Sequence, residues 1–160
     1  MQSANILDRN VLMGGVDRAS LVDLERRLAL FTEKVRELAI DESDEYGATR
    51  HYVALLAEAG LLDLLVPGSY GGAFESVRAV AVCIARQWLA RSSAALDTAF
   101  VMQGLGSYPL VLGESSAIAA QVLPKVRRGE LITGFALTEP EAGSDIANMR
   151  TTATPIGGGK

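Results

Sequence analysis

The stretch Gly134–Asp145, GFALTEPEAGSD, passes from apolar chain to a polar bend with no linker between them. Its opening residues complete the run LITGFAL, 131–137, which is short, apolar and rich in β-formers and so predicts a strand. Thr138 to Asp145 then form a turn signal. Pro140 fixes one backbone angle, Gly143 permits a positive one, and Thr138 and Ser144 bring hydroxyls beside exposed amides. Such a bend can gather several N–H donors around an anion without any basic residue. The strand before it offers an edge whose amides can pair with a planar, amide-like ring. A pyrophosphate with a flavin ring would satisfy both features, and so would a plain turn with self-capping hydroxyls.

Upstream of this stretch the patterns are helical. Leu21, Leu24, Leu28, Phe31, Val35 and Leu38 step by three and four and predict a helix over 20–40, with Ser20 and Asp23 resembling a capping box and Asp23 one turn from Arg27. The acidic patch DESDEYG, 41–47, reads as a solvated connection, because its carboxylates are consecutive and do not converge from separate elements. Thr49 is the expected cap of a second helix ending near Ala59, with Gly60 as its stop. His51, the one histidine, reads as a helix-surface residue. The loop VPGSYGG, 66–72, lacks the lysine and spacing of a phosphate-cradling P-loop. Residues 75–90 read as a helix apolar nearly all round, hence central and buried, with Cys83 as a buried thiol. Ser92 or Ser93 caps a following helix, AALDTAFVMQ, that weakens at GLGSYP; its Ala99, Met102 and Gln103 read first as core packing, with the lining of a cavity as the alternative. Ser115 caps a last helix that Pro124 and Gly129 break. Near residue 130 the character switches to strands, the second being MRTTATPIGGG, and the chain stops at GGGK, where a hairpin leading onward is expected.

Bulk properties narrow the function classes. The 160 residues suit one sizeable core, about half of them are apolar, and the net charge of −4 gives no electrostatic case for nucleic acid or anionic lipid. A single cysteine excludes an internal disulfide, and the longest apolar run, AVAVCIA, is far too short to span a bilayer. The amino terminus lacks the basic and apolar blocks of a signal peptide, so a cytoplasmic location is expected. No metal site is expected.

The order EAGLLDLLVPGSYGG, then VLPKVRRGELITGFALTEPEAGSD, then TTATPIGGG resembles the acyl-CoA dehydrogenase family, from about residue 20 to the end. The resemblance implies a mainly α fold: an amino-terminal helical domain over 1–130, followed at 131–160 by the first strands of an incomplete flavin-binding β-domain. It implies FAD as cofactor and α,β-dehydrogenation of an acyl thioester in fatty acid metabolism. Phe135, Ala136, Leu137 and Thr138 would lie along the flavin ring, with the Thr138 hydroxyl as side-chain donor. Gly143 and Ser144 would approach the pyrophosphate, and Ser144 would also touch the acyl-CoA substrate.

Glu139, Glu141 and Asp145 are given no role as base by the resemblance and are expected to orient the turn or meet solvent. In the family the base is a glutamate of a carboxy-terminal helical bundle, so no catalytic residue is assigned within these 160 positions. The chain by itself is expected to retain little or no FAD and to be inactive. The parent enzyme is expected to be a homo-oligomer that passes electrons to an electron-transfer flavoprotein or another acceptor. Two alternatives stand beside this one: a related flavoenzyme of the same fold (an acyl-carrier-protein dehydrogenase, nitroalkane oxidase or flavin monooxygenase), or a non-catalytic helical interaction module.

Overall fold

A computed structural model of the protein describes residues 15–113 and 116–156. Five α-helices make up most of the described chain: α1 Arg18–Glu37, α2 Glu45–Glu58, α3 Ala79–Ser92, α4 Ala94–Leu112 and α5 Ser116–Arg127. Helix α1 buries Leu24, Leu28, Phe31 and Val35 as one stripe, with Leu21 half-buried. It starts before Ser20, because the Asp17 carboxylate is the stronger acceptor. That carboxylate takes the Ser20 amide at 2.9 Å and the Ser20 hydroxyl at 2.5 Å. The helix stops at Glu37 and Ala39 turns left-handed at φ 45°, leaving Leu38 exposed. Asp23 pairs with Arg26 at 2.7 Å, while Arg27 reaches across to the Ala59 carbonyl at 3.0 Å and satisfies the end of α2.

The acidic patch is exposed but carries more structure than a solvated connection needs. Asp44, not Thr49, caps α2 by accepting the Gly47 amide at 3.0 Å. Glu42 accepts from the Tyr52 hydroxyl at 2.5 Å and from the Ser93 hydroxyl, tying the connection to α2 and to the start of α4. These bonds hold the Glu42 carboxyl below its usual range. Gly60, at φ 66°, ends α2 as its position requires.

The central helix is α4 rather than α3. Helix α4 packs against α2, α3, α5 and the 3-10 turn Leu62–Leu65, whereas α3 packs on α1, α4 and that turn. Only Ala81, Ala85 and Leu89 of α3 are buried, and Cys83 is exposed, which corrects the expectation of a buried thiol. The run AVAVCIA misleads because its small residues are apolar without demanding burial on every side. Ser93 does cap α4, accepting the Leu96 amide. The helix then runs through GLGSYP to Leu112 with Pro109 inside its last turns. The first four helices and the turn Leu62–Leu65 close on a core in which Leu28, Leu56, Leu62, Leu89, Leu96 and Phe100 are wholly buried. The bidentate Arg86–Asp97 pair, at 2.7 and 3.0 Å, joins α3 to α4 beside it.

Ser115, the expected cap of α5, lies outside the described residues. Pro124 sits within α5 without breaking it, since Ala119, Leu123 and Val126 bury one face against Val66 and α4 and outweigh one lost hydrogen bond. Gly129, at φ 69°, ends the helical run, and the chain beyond it leaves regular helix. No strand ladder forms among the described residues: 132–138 and 149–156 carry no regular secondary structure, with an isolated bridge between Glu139 and Ala142. A helix closes its hydrogen bonds within its own segment, whereas a strand needs a neighbour, so the β-pattern yields no sheet here.

Candidate functional site

Two glycine-bearing turns are the places where backbone donors could meet a ligand. In the first, 67–74, the chain bonds to itself. Gly68 N–H donates to Phe74 O at 2.6 Å, Tyr70 N–H and Gly72 N–H to Pro67 O at 2.9 and 3.1 Å, Gly71 N–H to Gly68 O at 3.0 Å, and Ala73 N–H to Asp63 O at 2.8 Å. A Cβ on Gly72 would stand 1.5 Å from the Val66 carbonyl oxygen. This loop is a packing device, with Arg127 of α5 held beneath it by Asp63 at 2.7 Å.

The second turn is open. Glu139 and Ala142 exchange N–H···O bonds of 3.0 and 3.2 Å across Pro140 and Glu141, so the bend is closed at its neck. The Glu139 carboxylate also accepts the Arg150 and Thr151 amides at 2.7 and 2.9 Å, which lowers its pKa and ties the turn to the chain that follows. Asp145 accepts from the Asn148 side chain at 2.5 Å. Both acids therefore orient the turn, while Glu141 is exposed.

Ala142 is buried, and Gly143 and Ser144 immediately after it are exposed. Neither of their amides donates to an acceptor among the described residues. A Cβ on Gly143 would meet nothing within 4 Å, and its φ is not left-handed, so the positive angle that glycine permits is not used here.

Of the residues leading into the turn, Phe135, Ala136 and Thr138 are exposed and Leu137 is half-buried. From Gly134 to Thr138 neither N–H nor C=O has a backbone partner among the described residues, so five successive residues present an unpaired edge. What positions that edge is a device that sequence reasoning missed. Gln103 of α4 is 1% exposed, and its carboxamide donates to the Leu131 carbonyl at 2.9 Å and accepts the Thr133 amide at 2.7 Å. The Thr133 hydroxyl donates to the carbonyls of Met102 and Gln103 at 3.0 and 3.1 Å. Gly106 lets the chain lie directly on the helix, since a Cβ there would be 2.6 Å from Thr133 Cβ and 2.7 Å from Gly134 O. One signal was present in the sequence: a glutamine inside an apolar helix followed by Gly104 and Gly106.

Ala99, Met102 and Gln103 do not line the apolar groove that α4 carries. Ala99 is packed in the core and Gln103 is committed to the segment 131–133. An apolar groove of about 330 Å³ between α3 and α4 is lined instead by Leu65, Val82, Val101, Leu105 and Tyr108. His51 is exposed on α2, as expected. Among the described residues no helix is long and apolar enough to cross a membrane, and no cluster of His, Cys, Asp or Glu has the makings of a metal site.

Comparison with known proteins matches residues 23–130 to the acyl-CoA dehydrogenase N-terminal domain. Cyclohexane-1-carbonyl-CoA dehydrogenase of Geobacter metallireducens is 34% identical over 105 residues, 66% of this chain and 27% of its own. Glutaryl-CoA dehydrogenase of Desulfococcus multivorans is 29% identical over 145 residues, 84% of this chain and 37% of its own. L-prolyl-[peptidyl-carrier protein] dehydrogenase of Pseudomonas fluorescens is 34% identical over 118 residues, 72% of this chain and 30% of its own. The chain thus spans about a third of the length of these relatives. With a family match across most of the helical body, the chain belongs to the acyl-CoA dehydrogenase family, and its helices form that family's amino-terminal domain.

Proposed function

We propose that this protein is an FAD-dependent dehydrogenase of acyl thioesters, in which 131–160 begins the flavin-binding domain. The observation that carries the reading is the pairing of an unpartnered edge at 134–138 with two exposed, undonated amides at Gly143 and Ser144. The residues present fit the cofactor. The edge offers alternating N–H and C=O groups to a planar amide-like ring, and the turn offers main-chain donors to a diphosphate with open space around Gly143. Bound FAD would supply the acceptor for a hydride leaving the β-carbon of the thioester. Phe135, Ala136 and Leu137 would hold the ring edge through their backbone, and the exposed Thr138 hydroxyl would donate to it. Ser144 would face both diphosphate and substrate. No residue of this chain is assigned as the base that removes the α-proton.

The relatives' names favour a coenzyme A thioester, and that of the prolyl carrier-protein dehydrogenase adds a carrier-bound thioester as a second substrate class. The test is the protein expressed from its complete reading frame. It should carry one flavin per chain by visible absorbance, and anaerobic titration with a panel of acyl-CoA and carrier-protein thioesters should bleach that band. A protein that carries no flavin, and takes up none from added FAD, overturns the proposal.

A further inference from the structure

We infer that Gln103 is a positioning residue, whose side-chain carboxamide stands in for a neighbouring strand and sets the register of the segment that holds the flavin ring. The flavin part of this inference rests on the function proposed above; the clamp itself rests on geometry alone. In a parallel ladder, one residue donates its N–H to the carbonyl of residue j−1 and accepts the N–H of residue j+1. The Gln103 carboxamide makes that pair of bonds to Leu131 O and Thr133 N, at 2.9 and 2.7 Å.

The arrangement is over-determined. The Thr133 hydroxyl bonds back to the α4 backbone, and the Ser107 hydroxyl, wholly buried, donates to the Gln103 carbonyl at 2.6 Å and occupies the acceptor beneath the clamp. Gly106 removes the side chain that would otherwise lift the segment off the helix. The unpaired edge begins at Gly134, one residue beyond the last clamped amide. A slip of one residue at 131–133 would carry every group of 134–138 to the opposite face. A glutamine in the core of a helical domain therefore decides which backbone groups of Phe135–Thr138 face a bound ring.

The experiment uses the protein expressed from its complete reading frame, with FAD as probe. Gln103→Met keeps the volume and removes both bonds. Hydrogen exchange at Thr133 should then accelerate, and the FAD dissociation constant should rise, each by about tenfold or more, with a shift in the flavin visible band. Gln103→Glu should resemble Gln103→Met at neutral pH and recover toward wild type at lower pH, when the protonated carboxyl again presents one donor and one acceptor; a purely space-filling role would give no such recovery.

A folded Gln103→Met protein with wild-type exchange at Thr133 overturns the clamp. Faster exchange with unchanged FAD affinity and spectrum overturns the link to the flavin and leaves the functional proposal standing. A wild-type protein that binds no FAD overturns that proposal and the flavin half of this inference, while the exchange data still decide the clamp. Should Gln103→Met fail to fold, Gln103→Glu carries the test: wild-type exchange at Thr133 at neutral pH, or no recovery toward wild type as the pH falls, overturns the inference.

Discussion

The turns at 67–74 and 139–145 have similar compositions and opposite fates. Both hold a proline followed by glycine and serine, and both join an apolar segment to a polar one. In the first, every amide from Gly68 to Ala73 except that of Ser69 donates to a nearby carbonyl, and Gly72 has no room for a methyl group. In the second, the neck closes through Glu139 and Ala142 and the two amides beyond it stay open. Glycine alone therefore does not mark a ligand-binding turn. The discriminating quantity is how many N–H groups remain after the turn has satisfied its own carbonyls.

That contrast can be broken by substitution, and the largest effect belongs to the closed turn. Gly72→Ala places a methyl 1.5 Å from a backbone oxygen, so the loop must move, at a cost of about 3 kcal/mol or more by urea denaturation. A denaturation midpoint unchanged from wild type would show that the loop is not anchored as described. Gly106→Ala comes next. Its added methyl strikes Thr133 and Gly134 O, which predicts a loss of about 1–3 kcal/mol and faster amide exchange confined to 131–138. Exchange rising instead across α4 would contradict a local contact. Gly143→Ala is the smallest in stability and the sharpest in meaning. With nothing within 4 Å of the new methyl and no left-handed angle to lose, stability should stay within about 0.5 kcal/mol of wild type, while FAD affinity in the complete protein falls. Equal affinity would remove Gly143 from the proposed cofactor site.

The helical half was largely legible, because a helix advertises itself through spacing within one segment. The stripe Leu24–Leu28–Phe31–Val35 is buried as its period requires. Caps moved to Asp17 and Asp44 because a carboxylate just upstream outcompetes a hydroxyl, a choice that local sequence offers but does not rank. The errors cluster where packing overrides propensity. Gly104 and Gly106 read as weakening the helix, yet Leu65 and Thr133 press against them, and their lack of a side chain is what lets those contacts form. Cys83 looked buried because its neighbours are apolar, although the neighbours that matter lie on α1 and α4. The candidate site was legible as a motif, since Thr138 to Asp145 announces a bend, but Gln103 lies about thirty residues upstream and no periodicity connects it to Thr133.

A side chain that bonds to a segment in the way of a neighbouring strand also bears on the order of assembly. The partner of residues 131–133 lies on a helix that can form from local contacts, so the alignment of that segment is decided before any other strand arrives. Non-local β-pairing is ordinarily the slow and error-prone stage of folding, because long loops must close before contacts reward them. Under the proposed function the helical body would work as a template, and any strand added beside 134–138 would meet an offset that the clamp has already chosen.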